Sequence, residues 1–104
     1  MYEYKATVDR VVDGDTVDFI VDLGFSVKIK IRTRLSGVDT PERGHVDFLL
    51  ATKKCRELLN KASEAFPYEG KIVIKTEKTG KYGRWIVHIA GVTDELARIW
   101  PYER

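Results

Sequence analysis

Three segments far apart in the chain hold its chemically capable side chains: Asp13-Gly14-Asp15-Thr16, Arg34 with Val38-Asp39-Thr40-Pro41-Glu42, and Lys81-Tyr82-Gly83-Arg84. Together they offer two candidate metal ligands in Asp15 and Asp39, a further carboxylate in Glu42, and two guanidiniums in Arg34 and Arg84. Paired carboxylates can hold a hard divalent ion, a spare acid can handle a proton, and guanidiniums can offset charge growing on a phosphate. The set therefore suits metal-assisted phosphoryl transfer. Each segment also has a plain local reading. Asp-Gly ahead of alternating apolar residues is a common hairpin signal. Asp39-Thr40-Pro41-Glu42 has the capping side chain, early proline and first-turn acid of a helix start. Lys81 to Arg84 also fits a basic loop tip.

The elements that must position these segments follow from hydrophobic periodicity. Tyr4 to Val12 reads as a first strand, broken by Asp13-Gly14. Val17, Phe19 and Val21 alternate with Asp18, Ile20 and Asp22 in a second, and Leu23-Gly24 offers a reversal. The third is the clearest, with Phe25, Val27, Ile29, Ile31, Thr33 and Leu35 on one parity and Ser26, Lys28, Lys30, Arg32 and Arg34 on the other. That pattern predicts one buried and one basic face. After Pro41 the period turns helical: Phe48, Ala51, Thr52, Cys55, Leu58, Leu59, Ala62 and Phe66 recur at three- and four-residue steps, and Pro67 and Gly70 stop the run. Lys71 to Thr76 reads as a fourth strand, a loop passes through Gly80 and Gly83, and Trp85 to Ala90 gives a fifth. A short helix from Thr93 to Ile99 follows, with Thr93 as its N-cap. A mainly β chain with helices (α+β) in this order is expected to form a five-stranded Greek-key barrel of the OB-fold type. Its longer helix would lie between strands 3 and 4 and a short one at the C-terminal end.

Length and composition narrow the class. The 104 residues predict one domain over 1–104. Eighteen Lys and Arg against 16 Asp and Glu give a net charge of +2, which permits a polyanionic partner without requiring one. A single cysteine rules out an internal disulfide framework and favours a reducing compartment. Met1 to Thr7 has no apolar core of a secretory signal and no run reaches membrane-spanning length, so a cytoplasmic protein without a membrane partner is expected, as monomer or homodimer.

The three segments, in this order, resemble the staphylococcal nuclease (thermonuclease) family. The likeness rests on Val12-Asp13-Gly14-Asp15-Thr16, on Arg34-Leu35-Ser36-Gly37-Val38-Asp39-Thr40-Pro41-Glu42 with its Arg34 to Asp39 to Glu42 spacing, and on Lys81-Tyr82-Gly83-Arg84. It implies an OB-fold barrel that binds one calcium ion and hydrolyses DNA or RNA without sequence preference, leaving 3′-phosphate and 5′-hydroxyl ends. By that likeness Asp15, Asp39 and the Thr40 carbonyl would hold the ion, and oxygen donors suit calcium, magnesium or another hard divalent ion over zinc. Glu42 would orient or deprotonate the attacking water. Arg34 and Arg84 would grip phosphate oxygens by paired donors, and Lys81 and Tyr82 would contact a neighbouring phosphate. The alternative is a non-catalytic OB-fold module that binds nucleic acid or protein. The likeness departs at Gly80, where the family commonly has an acid, and in a C-terminal region shorter than the family's. A smaller cap, or a partner chain over exposed apolar surface, is the expected result.

Other conspicuous residues read as structural. Cys55 belongs to the apolar helix face as a core thiol. His45 and His88 are isolated, with His45 near the Glu42 loop. Trp85 reads as a packing aromatic, and Lys28, Lys30 and Arg32 as a solvated strand face or a track for a phosphate backbone.

Overall fold

The computed structural model describes residues 2–65, 71–79 and 84–101. Alternating apolar residues build five strands, β1 (Tyr2–Asp13), β2 (Thr16–Asp22), β3 (Lys28–Leu35), β4 (Ile72–Thr79) and β5 (Trp85–His88). The helix α1 (Phe48–Ala65) connects β3 to β4, and α2 (Thr93–Ile99) follows β5. The strands close in the order β1-β2-β3-β5-β4. β1 pairs antiparallel with both β2 and β4, whereas β3 and β5 run parallel. This is the expected mainly β, OB-fold-like barrel.

Closure follows from parity. Ala6, Val17, Phe19, Val21, Leu35, Ile72, Ile74 and Val87 all point inward and are buried. Each fully buried aliphatic side chain contributes about 2 kcal/mol by removal from water. α1 presents Ala51, Cys55 and Leu59 to the same core, with Leu58 and Ala62 partly buried beside them. Cys55 is fully buried, and burial pushes its thiol up to about 12, so it packs as a small hydrophobe. Val92 and Leu96 of the α2 region complete the cluster.

Several boundaries shift for identifiable reasons. β1 runs two residues further at its start and one further at its end than Tyr4–Val12, because its first residues pair with β4, beginning at Tyr2↔Thr76. β4 extends to Thr79 through its pairing with Trp85, and β5 ends at His88. There Ile89 leaves the sheet and its carbonyl accepts the N–H groups of Val92 and Thr93. Thr93 is not the N-cap of α2; Val92 takes that place. The Thr93 hydroxyl turns back instead, donating to Ile89 O at 3.0 Å and accepting Ile89 N–H at 3.2 Å. Phe66, Pro67 and Gly70, expected at the end of α1, lie outside the described residues.

The largest correction concerns β3. It begins at Lys28 instead of Phe25, because Gly24, Phe25 and Ser26 all take positive φ in a turn closed by Leu23 N–H to Val27 O and Val27 N–H to Gly24 O, each 2.9 Å. Its apolar parity is buried only toward the far end, at Thr33 and Leu35, while Ile29, Val27 and Phe25 are exposed. The inward residues at these strand ends, Tyr4, Ile29, Ile31 and Trp85 among them, line an apolar mouth of about 410 Å³. It opens at the opposite end of β1 from Asp13. The outward parity of β3 is matched by acids on β1 and β2. Lys30 pairs with Asp9 at 2.9 Å, and Arg32 holds both Asp18 oxygens, at 2.8 and 3.2 Å. That fork keeps the Asp18 carboxyl below its usual range.

Candidate active site

The tip of the β1–β2 hairpin starts the site. Asp13 and Thr16 are register partners, and between them the Asp15 N–H donates to Asp13 Oδ1 at 3.1 Å. The Asp15 carbonyl then accepts the Leu35 N–H at 2.8 Å, which ties the tip to the end of β3. Arg34, the register partner of Thr16, lies on the outward parity beside it. Its Nη2 donates to Val38 O at 3.0 Å and stands 3.9 Å from Asp15 Oδ2 and 4.0 Å from Asp39 Oδ1. One guanidinium thus sits between two carboxylates from different segments.

The Val38–Glu42 segment is held from two sides. The Asp39 N–H donates to Trp100 O at 2.9 Å and Val38 bridges Pro101, so the chain just after α2 braces it. On the other side the Thr40 N–H reaches Asp15 Oδ2 at 3.3 Å. Arg84 stands just before β5, two residues before Ile86, the register partner of Arg34. Asp15, Arg34, Asp39, Thr40, Glu42 and Arg84 line one polar cavity of about 240 Å³. Lys81 and Tyr82 lie outside the described residues. His45 is an exposed loop residue whose Nδ1 accepts the Asp47 N–H, and it does not line the cavity. Trp85 points to the apolar mouth at the barrel's other end.

Sequence reasoning passed over Asp13 as a turn residue, yet it lines the cavity and bears directly on Asp15. Burial, then the hydrogen bond and charge of the Asp13 carboxyl, push Asp15 up to about 6, against the opposing pull of Arg34 and of the Thr16 hydroxyl. A cation beside the two carboxyls would relieve the repulsion.

The donor chemistry fits a hard divalent ion. Carboxylate and carbonyl oxygens are the donors at hand, and the thiol of Cys55 is sealed in the core. Among the described residues, no group of three or more His, Cys, Asp or Glu side chains is gathered to hold a metal by itself. An ion here would draw on Asp15 and Asp39 together with the Thr40 carbonyl and water, as the many-oxygen shell of calcium allows. A second sign of incomplete bonding is the Thr40 hydroxyl, buried without a hydrogen-bond partner among the described residues.

Among the described residues no helix is long and apolar enough to cross a membrane. No protein-family model matches the chain. A protein of Escherichia coli named Protein ParB is similar to it, 28% identical over 102 residues that take in 98% of this chain and 50% of ParB. The chain therefore spans about half the length of the curated relative it matches.

Proposed function

We propose that this chain is a metal-dependent, sequence-nonspecific endonuclease that hydrolyses phosphodiesters of DNA, RNA or both to 3′-phosphate and 5′-hydroxyl ends. One observation carries the reading: three carboxylates (Asp15, Asp39, Glu42) and two guanidiniums (Arg34, Arg84), drawn from three remote segments, face one small polar cavity. A turn, a helix cap and a loop tip would have no common reason to meet there.

Asp15, Asp39 and the Thr40 carbonyl would hold calcium, with magnesium or another divalent ion as the alternative, and the ion would supply charge neutralisation at the scissile phosphate. Glu42, an exposed carboxylate of the cavity, takes the role of orienting the attacking water and accepting its proton. Arg34 and Arg84 donate to non-bridging oxygens and stabilise the extra negative charge of the five-coordinate state. By the resemblance, Lys81 and Tyr82 would contact a neighbouring phosphate. Incubation with single-stranded DNA, duplex DNA and RNA in calcium, magnesium or chelator tests the proposal. Metal-dependent cleavage with 3′-phosphate ends is expected. Binding without cleavage under every metal would instead assign the barrel to the non-catalytic modules.

A further inference from the structure

Among the described residues glycine has two separate uses. Gly24, Gly37, Gly44 and Gly91 take positive φ, and a side chain at any of them would meet nothing within 4 Å. Gly14 is the reverse. It is not among the positive-φ residues, so the Asp-Gly turn does not require it for backbone conformation. What excludes a side chain there is contact, because a Cβ on residue 14 would lie 2.7 Å from Thr40 Cγ2 and 2.8 Å from both Thr40 Cβ and Oγ1.

We infer that Gly14 is a positioning residue whose bare Cα seats the Thr40 side chain and so fixes where the Thr40 carbonyl and the Asp15 carboxylate meet a divalent ion. The inference rests on the metal-dependent reading above. Thr40 is buried, and one of its three close atoms is Cβ, which moves only with the backbone. A rotamer change cannot relieve that contact. Ordinary contact begins near 3.4 Å, so the backbone at residue 40 would have to retreat by about 0.6 Å. The Thr40 N–H that reaches Asp15 Oδ2 would retreat with it, disturbing two proposed ligands at once. Among the described residues the Thr40 hydroxyl has no partner, so shape and not hydrogen bonding is what the seat uses.

The test is a cycle of variants of the full chain, with calcium and magnesium binding read by titration calorimetry and amide exchange at residue 40 read without metal. Gly14→Ala is expected to weaken binding at least ~10-fold in the parent background and less than about threefold in a Thr40→Gly background, where the obstructing Cβ is gone. In Thr40→Ala the Cβ remains, so Gly14→Ala keeps its penalty there. Equal losses in the parent and Thr40→Gly backgrounds, or no loss in either, overturn the inference. If Gly14→Ala alone does not fold, the double variant with Thr40→Gly decides: folding and binding like Thr40→Gly supports the seat, and failure to fold overturns it. A parent that binds neither metal sinks the metal reading and the ligand-setting role with it. Faster exchange at residue 40 in Gly14→Ala, reversed by Thr40→Gly, would then leave only the seat itself.

Discussion

Arg84 and Asp15 carry opposite burdens in the cavity. If Arg84 stabilises charge that develops only during the reaction, Arg84→Ala lowers turnover at least ~100-fold with little change in metal binding, and Arg84→Lys recovers only a small part because an ammonium lacks the paired donors. Single-turnover cleavage checks this, and parent-like rates would remove Arg84 from the chemistry. Asp15 is held in a place that disfavours its charge. A carboxyl whose folded-state pKa lies above its unfolded value stabilises the fold at low pH, and that contribution disappears as pH rises through about 6. Asp15 should therefore lower the melting temperature of the metal-free protein as pH rises from 5 to 7.5. In Asp15→Asn the pH 5 to 7.5 difference shrinks, melting at pH 7.5 rises and metal binding is lost. Protons compete for the same oxygens, so affinity in the parent falls below pH 6. Most of these residues were legible from type and spacing, since acids and arginines in motif order do not depend on packing detail. Asp13 and Gly14 were not. Both pass for hairpin residues, and only the convergence of Asp13 on Asp15 and of Thr40 on Gly14 shows otherwise.

At the level of elements, the strands were readable because an inward apolar parity must alternate, and the α1 face because its period is helical. Reading failed where one signal ran across a boundary. The apolar parity of β3 continues unbroken through Val27 to Phe25, yet Leu23-Gly24 alone does not complete the reversal, and the turn consumes Phe25 and Ser26 as well. A phenylalanine at φ 52° is strained by its Cβ, and this ring is fully exposed, so it gains no burial in exchange. Phe25→Asn should raise the unfolding free energy by up to about 1 kcal/mol in urea titrations, because Asn tolerates the left-handed region. A loss of stability would show that the ring is covered in solution. The open mouth beside it was equally hidden, since no pattern in the sequence says which end of a barrel is filled.

The molecule as a whole joins its cavity from both halves of the chain: the β1–β2 tip, the end of β3 and the segment after it supply the carboxylates and Arg34, and Arg84 comes from just before β5. A ligand that binds only the closed barrel stabilises it by mass action, so calcium at 100 times its dissociation constant should add about 2.7 kcal/mol and raise the melting temperature by several degrees. Chelator should reverse the shift, and Asp39→Ala should abolish it while leaving the metal-free melt almost unchanged, because Asp39 is exposed. The brace between Trp100 and Asp39 has a further consequence, in the order of biosynthesis. Arg84 and the carbonyl that fixes Asp39 are both translated late, so a nascent chain emerging from the ribosome carries its acids without the geometry to use them. Under the function proposed above, the site would stay inert until Trp100 had cleared the exit tunnel.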